Sequence, residues 1–219
     1  MPGTTAFDLH AARYDEWFDR HPAVYQSELL ALRGFLPTAG FGLEIGVGGA
    51  RFAAPLGIAI GLDSSMAMLR HAQKRGVEVV AGRAEVLPFR TASFDCVLIV
   101  TTLCFVDSPR EMLREAGRVL KPHGRLVIGF VDRDSPLGQD HLAHQAESEF
   151  YLNARFHSVT DVQQLLQETD FRILGCGQTL RGPAQETSEV EALEDGYGRG
   201  AFVVVAAEKR KILSGRGEA

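Results

Sequence analysis

The stretch GLEIGVGGA at residues 42–50 and the stretch IAIGLD at residues 58–63 decide the fold class. Each starts as a short apolar run that predicts a buried strand, and the first leads into a glycine loop and a helix. Gly46 and Gly48 let the backbone approach a ligand closely. Asp63 ends the second strand, where its carboxylate can bind both hydroxyls of a ribose or instead complement the dipole of the next helix. The segment therefore predicts a site for an adenosine-containing ligand.

The rest of the chain continues this alternation of strands and helices. The run FDCVLIV at residues 94–100 is typical of a central strand that is covered on both faces. The alternation predicts an α/β fold with a doubly wound, Rossmann-like sheet, mostly parallel, that a C-terminal antiparallel hairpin closes. The further predicted elements are helices at 6–36 (one or two), 64–74 with Ser64 as cap, 109–120, 138–156 and 160–169, and strands at 77–81, 125–130, 171–180 and 201–208.

Composition and charge narrow the classes of function. The formal net charge of −5 leaves no excess of basic residues for a phosphate backbone, so a nucleic-acid substrate is disfavoured. No apolar run approaches the roughly 20 residues that span a bilayer, and the N-terminus lacks a signal-peptide pattern. Three cysteines without CxxC spacing indicate neither a disulfide framework nor a zinc site. We therefore expect a cytoplasmic protein without membrane association.

The glycine loop separates two classes of adenosine-containing cofactor. The dinucleotide fingerprint G-x-G-x-x-G would place its third glycine at position 51, which is Arg51. Glu44 precedes the loop, where a negative charge suits the ammonium of an amino-acid ligand and opposes a pyrophosphate. The cofactor is therefore expected to be zwitterionic. A nicotinamide-dependent oxidoreductase on the same sheet stays open as the alternative.

Several motifs in order carry a family resemblance. They are LEIGVGGARF at residues 43–52, GLDSS at 61–65, AEVLPF at 84–89, SFD at 93–95, RVLKPHGRL at 118–126 and DFR at 170–172. In this order and spacing, the chain resembles the class I S-adenosylmethionine-dependent methyltransferases of the UbiE and type 11 group. The resemblance implies that S-adenosylmethionine is the cofactor and S-adenosylhomocysteine the product.

The resemblance also implies cofactor-binding roles for individual residues. Met66 takes the position that packs on the adenine face, although a core methionine at a helix start is the alternative. The chain departs from the family pattern at two positions. Ala50 stands where the family often has a third glycine, and it is tolerated if its φ is negative. Arg83 stands where the family often has an acid. The implied contacts are the methionine end at Glu44, Gly46, Val47 and Gly48, the ribose at Asp63 beside Ser64, the adenine edge at Ala84 and Glu85, and the sulfonium side at Val100 and Thr101.

The N-terminal segment YDEWF at residues 14–18 resembles the lid helices of this family. Tyr14 is then a candidate to form a hydrogen bond with the cofactor or the acceptor, while Trp17 and Phe18 exclude water. Packing of an ordinary amphipathic helix is the alternative explanation for the same residues. The expected organisation is a helical lid at 1–36, a methyltransferase domain at 37–208 and a frayed tail at 209–219.

The acceptor is expected to be a small molecule. Methyl transfer is an in-line displacement that needs alignment rather than a catalytic triad. The run VTTLCF at residues 100–105 lacks the Asn/Asp-Pro-Pro-aromatic signature of nucleic-acid amine methylation, and no Pro-Cys nucleophile occurs. A non-catalytic module that binds the cofactor or a protein partner is a further alternative.

Histidines supply the remaining candidates. His157 lies in a region that lines the acceptor pocket in this family, so it is a candidate general base beside Tyr14. His141, His144 and Glu147 share one face of a predicted helix, but a solvated surface explains them better than zinc, and no metal site is predicted. The sequence does not indicate an oligomeric state.

Overall fold

The computed structural model describes residues 4–182 and 187–210, and its centre is an eight-stranded sheet. In space the strands follow the order β3-β2-β1-β4-β5-β8-β6-β7. The strands of this described part are β1 Gly42–Ile45, β2 Ile60–Asp63, β3 Glu78–Ala81, β4 Phe94–Val100, β5 Leu120–Val131, β6 Phe171–Thr179, β7 Glu194–Asp195 and β8 Phe202–Lys209. The helices are α1 Thr4–Leu9, α2 Ala11–Arg20, α3 Pro22–Phe35, α4 Ala53–Leu56, α5 Met66–Lys74, α6 Pro109–Val119, α7 Pro136–Ala143 and α8 Val159–Glu168.

The sheet is doubly wound and mostly parallel, as predicted. Strands β1 to β5 pair in parallel, whereas β8 inserts between β5 and β6 and runs antiparallel to both. The chain moves outward from β1 through β2 to β3 and then returns to place β4 on the other side of β1. The strand order therefore reverses between β1 and β4, which is where ligands bind in open α/β sheets.

Two apolar clusters cover the two faces of the sheet. Alternate residues of β4 divide between them, so that Val97 and Ile99 join one cluster while Leu98 and Val100 join the other. Helices α6 and α8 cover the first face, and the N-terminal helices cover the second through residues such as Leu32. Burial on both faces explains why this strand reads as a continuous apolar run.

The N-terminal region forms three helices rather than the predicted one or two. The first break lies at His10, whose φ of −122° and ψ of 25° leave the helical region. The second lies at His21, and Pro22 follows as the first residue of α3. Proline fixes the first helical turn and carries no amide hydrogen, so it begins a helix more readily than it continues one.

Several predicted element boundaries were wrong. Ser65, not Ser64, caps α5, because its hydroxyl accepts from the Met68 amide at 3.2 Å. The helix predicted at 138–156 ends at Ala143, since the Gln145 side-chain amide donates to backbone carbonyls at Tyr151 and Ala154 and closes an irregular loop. A short 3-10 turn, Gln145–Glu147, lies within that loop.

The fifth strand is longer than predicted. It begins at Leu120, so KPHG at 121–124, predicted to stop a helix, belongs to β5. The Lys121 ammonium pairs with Asp95 on β4 at 2.9 Å, and the register shifts beside this pair. His123 has a φ of 63°, which absorbs the extra backbone in a bulge.

The C-terminal strands close the sheet but are not linked by a short turn. The long connection from β6 to β8 contains the short strand β7, which pairs with β6. Lys209 belongs to β8, and the remainder of the predicted tail, 211–219, lies outside the described residues. No helix in residues 4–182 and 187–210 is both long and apolar enough to cross a membrane.

Candidate active site

The glycine loop after β1 is fixed against the neighbouring strands. The amides of Gly46 and Val47 both donate to the Leu62 carbonyl on β2, at 2.7 and 2.9 Å. Gly46 has a φ of +73°, and a Cβ built there would collide with the Thr102 hydroxyl after β4. A glycine is required at this position because the loops that follow β1 and β4 meet there.

Asp63 connects the glycine loop to the end of β2. Its Oδ2 accepts from the Gly48 amide and its Oδ1 from the Ser65 amide, both at 2.8 Å. Burial raises the pKa of Asp63, while these bonds and one from the Ser64 amide oppose the rise. The amides fix the direction of the carboxyl group, and each oxygen keeps a lone pair for a ligand hydroxyl.

Glu44 holds a buried carboxyl group that is only half satisfied. The residue is 1% exposed, and the Ala53 amide donates a hydrogen bond to its carboxyl group. Its Oε2 has no hydrogen-bond partner among the described residues, and burial raises the pKa well above the ordinary value. An unpaired buried oxygen of this kind is costly, and a cationic ligand group would satisfy it.

A cavity lies beyond the ends of β1, β2 and β4, at the reversal of strand order. It encloses about 630 Å³ including its mouth, and Glu44 lines a smaller recess beside it. The residues that line this first cavity are Phe7, Tyr14, Gly46, Gly48, Leu62, Asp63, Ser64, Ser65, Met68, Gly82, Ala84, Val100, Thr101, Thr102, Phe105 and Val106. The ribose acceptor, the half-satisfied acid and the apolar wall together fit S-adenosylmethionine.

Aromatic side chains of the N-terminal helices cover this cavity. The Phe7 ring packs at centroid distances of 5.1 Å from both Tyr14 and Phe105, and at 5.3 Å from Phe150. These contacts join α1 and α2 to the loop after β4 and to the segment after α7. Together they exclude water from one side of the cavity.

An ionic cluster ties α2 to the glycine loop. The Arg51 guanidinium donates to both carboxylate oxygens of Asp15, at 3.1 and 2.7 Å, and to Asp19 at 2.7 Å. Arg75 donates to Asp15 and to the Gly49 carbonyl, both at 2.7 Å. Asp15 is 7% exposed, so this bidentate pair is stronger than an ordinary surface ion pair. Arg51 thus fastens the N-terminal helices over the cavity.

A second, larger cavity lies on the other side of Tyr14 and Thr101. It encloses about 1250 Å³ including its mouth. It is lined by Arg13, Tyr14, Trp17, Phe18, Arg20, His21, Val24, Glu28, Phe52, Thr101, Val131, Leu137, His141, Phe150, Tyr151 and Leu180. Because Tyr14 and Thr101 line both cavities, a ligand in one lies next to a ligand in the other.

Comparisons with known proteins agree with this geometry. The family described as "Methyltransferase domain" matches residues 43–128. An S-adenosylmethionine-dependent methyltransferase from Thermotoga maritima, described as a possible histamine N-methyltransferase, is 44% identical with a TM-score of 0.92, covering 94% of this chain and 99% of that one. This chain belongs to the class I S-adenosylmethionine-dependent methyltransferases. It is therefore an enzyme with S-adenosylmethionine as its cofactor, which sets aside the nicotinamide alternative.

Two further relatives that match over most of this chain are described as uncharacterized proteins. An uncharacterized protein from Methanocaldococcus jannaschii is 43% identical over 203 residues, which cover 93% of this chain and 98% of the relative. An uncharacterized protein from Mycobacterium tuberculosis is 38% identical over 213 residues, which cover 94% of this chain and 75% of the relative. The methyl acceptor therefore has to be inferred from the site itself.

Thr101 combines backbone strain with a position at the junction of the two cavities. Its φ is 48°, which is unusual for a β-branched residue, and its amide donates to the Gly129 carbonyl at 2.8 Å. Its side chain is hydrogen-bonded to the Tyr14 hydroxyl, and burial raises the pKa of Tyr14 well above the usual range. A neutral phenol therefore stands at the boundary between the two cavities.

The structure brings most of the predicted cofactor residues together. The first cavity is lined by Gly46, Gly48, Asp63, Ser64, Ala84, Val100 and Thr101, and the adjoining recess by Glu44 and Val47. Met66 is 55% exposed and is not among the described lining residues, whereas Met68 is. Ser65, the residue after Ser64, caps α5, the helix that carries both methionines.

The adenine-edge residue Glu85 is held by protein groups. Its Oε1 accepts from the Asp107 amide at 3.0 Å, and its Oε2 lies 3.5 Å from Arg83. Arg83 also pairs with Asp107 at 2.9 Å. The departure from the family pattern at Arg83 therefore belongs to an ion cluster that anchors the loop after β4.

Ala50 does not satisfy the condition set for it by the sequence. Its φ is 60°, in the left-handed region, and the residue is fully buried. The amide of Ala50 donates to the Val47 carbonyl at 2.8 Å, so Ala50 is the last residue of a tight turn whose central residues are Gly48 and Gly49. A side chain in this conformation costs roughly 1–2 kcal/mol, which the packed loop sustains.

The histidines separate into different surroundings. His157 lines a third, smaller cavity with Cys104 and Tyr151, and its buried Nε2 has no partner among the described residues. Burial lowers the pKa of His157, which favours the neutral imidazole. His141 lines the second cavity. The described residues contain no group of three or more His, Cys, Asp or Glu that could hold a metal ion.

Glu28 is a site residue that the sequence reasoning missed. It lies in α3, is 6% exposed and lines the second cavity. Burial raises the pKa of its carboxyl group to about 8. A single acid at the cavity-facing position of an otherwise apolar helix face was the available signal.

Proposed function

We propose that this methyltransferase transfers a methyl group, by in-line displacement, to a small molecule bound in the second cavity, of about 1250 Å³. We call this the acceptor cavity, and the first cavity, of about 630 Å³, the cofactor cavity. The observation that carries the proposal is the junction at Tyr14 and Thr101, which both cavities share. A ligand enclosed by the aromatic walls would present its acceptor atom there. The enclosing side chains, together with the net charge of −5, favour a small molecule over a nucleic acid.

The chain's own residues would supply binding and alignment. When bound, S-adenosylmethionine supplies the electrophilic methyl group. Glu44 would hold the ammonium of its amino-acid end, Asp63 the ribose hydroxyls, and Thr101 the side next to the acceptor. Tyr14, kept neutral by burial, would orient ligands by hydrogen bonding, while the lid rings exclude water.

The adenine contacts divide between backbone and side chains. Ala84 lines the cofactor cavity and is 2% exposed, so it would pack against the adenine edge. Glu85 is already bonded to the Asp107 amide, so it would act by shaping the loop. Met68 lines the cavity, whereas Met66 is exposed, so Met68 is the better candidate to pack on the adenine face.

An amine is the first acceptor to test. The 44% identical relative from Thermotoga maritima is described as a possible histamine N-methyltransferase. A panel of small amines, phenols, thiols and carboxylates, incubated with S-adenosylmethionine, would be followed by detection of S-adenosylhomocysteine. We expect turnover of at least one class. Tight cofactor binding without turnover of any would instead favour a non-catalytic cofactor-binding module.

Three sequence-based expectations about organisation stay predictions. They are the lid at 1–36, the methyltransferase domain at 37–208 and the cytoplasmic location. The Arg51–Asp15 pair supports the lid assignment, because it links α2 to the glycine loop. A lid that opens for ligand entry would have to break that pair, so deuterium exchange in α2 should fall when S-adenosylhomocysteine binds.

A further inference from the structure

Glu28 lies on the face of α3 that forms one wall of the acceptor cavity. His21, Val24 and Glu28 follow the i, i+3, i+7 spacing of one helix face, and all three line the cavity. Val24 also belongs to the apolar cluster against the sheet, together with the neighbouring buried residues Leu29 and Leu32. Glu28 is the acid on this helix face, and it lines the cavity.

No protein group compensates for the burial of this carboxyl group. The residue is 94% buried, and none of the described residues donates a hydrogen bond to it or pairs with it. Burial is the cause of its raised pKa. An uncompensated buried acid is costly, and such groups concentrate where a ligand completes their environment.

The charges around Glu28 do not neutralise it. Arg13 at the cavity wall is already paired with Glu149, and Arg20 is exposed. The electrostatic interaction with the Glu28 carboxylate contributes to the raised pKa values of Tyr14 and Tyr151. The charged and titratable groups that line the cavity with Glu28 are Arg13, Tyr14, Arg20, His21, His141 and Tyr151.

The cavity that Glu28 lines is rich in aromatic rings. Tyr14, Trp17 and Phe18 come from α2, and Phe150 and Tyr151 from the segment after α7. Aromatic rings attract cations through their quadrupole, and the attraction grows where water is excluded. One unpaired carboxyl group among such rings is the chemistry that recognises a small organic ammonium ion.

We propose that the acceptor is a small amine that binds as its ammonium ion, and that Glu28 recognises this ion and takes its proton. The proposal rests on the proposed function, since it assigns the substrate class of that same cavity. The acceptor cavity touches the cofactor cavity at Tyr14 and Thr101, so the nitrogen freed of its proton would face the methyl donor.

The step balances in protons and electrons. The ammonium R–NH3+ gives a proton to the Glu28 carboxylate and becomes R–NH2, whose lone pair forms the new N–CH3 bond. The S–CH3 bond breaks, and its electron pair stays on sulfur, giving neutral S-adenosylhomocysteine. The product leaves as the methylated ammonium R–NH2CH3+, and protonated Glu28 releases its proton to water.

The experiment compares Glu28→Gln and Glu28→Asp with Glu16→Gln, a matched control on an exposed position of α2. Calorimetry measures binding of S-adenosylhomocysteine, and then of primary amines and the matched alcohols, to the resulting complex. We expect unchanged S-adenosylhomocysteine affinity in all three variants. Glu28→Gln should bind the amines at least about 30-fold more weakly but the alcohols as the wild type does.

Kinetics distinguish proton transfer from mere packing. Glu28→Gln should lower kcat/KM for amines by about 100-fold or more, and Glu28→Asp by roughly 10-fold, because the shorter acid keeps the chemistry at a poorer distance. The wild-type kcat/KM should rise with pH through about 8, and Glu28→Gln should lose this dependence. Thermal unfolding checks that each variant is folded.

Each contrary result has a separate meaning. If Glu28→Gln binds and methylates amines within twofold of the wild type, the proposal is overturned. If the wild type methylates only phenols, thiols or carboxylates, the proposed function stands and the amine assignment fails. If the wild type binds S-adenosylhomocysteine but methylates nothing in the panel and binds no amine, both the acceptor assignment and the proposed function fail.

Discussion

The cofactor end and the proposed acceptor end of this site are built in different ways. At the cofactor end, loops after neighbouring strands hold Asp63 and the glycine loop with backbone hydrogen bonds of 2.7–2.9 Å. At the acceptor end, side chains from α2, α3, α7 and the segments around β4 to β6 surround a larger cavity without a shared motif. The difference teaches that cofactor binding depends on local backbone geometry, while acceptor choice depends on long-range packing.

The largest expected effect concerns the backbone-held acid of the cofactor end. Asp63→Ala should weaken S-adenosylhomocysteine binding by about 100-fold or more, because two charge-assisted hydrogen bonds to the ribose are lost. The control is Asp195→Ala, an exposed acid in β7. Calorimetry gives both affinities. Full affinity in Asp63→Ala would remove the basis for assigning the ribose to this residue.

The second effect tests the acceptor end through stability. Because burial raises the pKa of Glu28 from 4.5 to about 8, the folded state holds the proton more tightly than the unfolded state does. The free energy of unfolding should therefore fall as pH rises between these values. Between pH 5 and 9, the stability of Glu28→Gln relative to the wild type should increase by about 4 kcal/mol.

Chemical denaturation at a series of pH values measures this difference, and Glu16→Gln should track the wild type throughout. A constant difference between Glu28→Gln and the wild type would mean that Glu28 ionises freely in the folded protein. The cavity would then be more hydrated than its lining indicates, and the contrast between the two ends of the site would weaken.

A smaller effect separates two parts of the cofactor end. Glu44→Gln should weaken S-adenosylhomocysteine binding by about 10-fold, because the charge opposite the ligand ammonium is lost. Methylthioadenosine lacks the amino-acid end, so its affinity should be the same for wild type and variant. Equal loss for both ligands, measured by calorimetry, would show that Glu44 shapes the loop and does not contact the ammonium.

The smallest effect concerns backbone strain in the glycine loop. Ala50→Gly relieves a left-handed φ that costs roughly 1–2 kcal/mol, but it removes a buried methyl group worth about 0.8 kcal/mol and adds chain entropy. The net change in the free energy of unfolding should stay within about 1 kcal/mol. A larger loss in thermal or chemical unfolding would mean that the methyl contact dominates.

Local sequence patterns predicted the sheet well and the irregular segments poorly. The strand Phe94–Val100 matches its prediction residue for residue, because burial on both faces leaves a continuous apolar run. The predicted helix at 138–156 ends at Ala143, because side-chain hydrogen bonds from Gln145 to distant carbonyls replace helical ones. Such bonds have no periodic signature in the sequence.

The same contrast holds within the site. Gly46 and Asp63 could be proposed from spacing, since the chain brings them together across only 17 positions and two adjacent strands. Met68 lines the cavity and Met66 is exposed, because the packing of α5 on the sheet decides which side of the helix faces the cavity. Arg51 was informative only as a missing glycine until the structure showed its bond to Asp15.

By itself, the sequence determined the sheet, the glycine loop and the class I methyltransferase resemblance, because these depend on local periodicity and on motifs of fixed spacing. Only the tertiary structure decided that Glu28 lines the proposed acceptor cavity without a partner among the described residues, and that Thr101 lines both this cavity and the cofactor cavity. The physical reason is that burial and charge compensation are properties of the whole packed surroundings. A lone glutamate in a helix carries neither until α2, the segment after α7 and the sheet close around it.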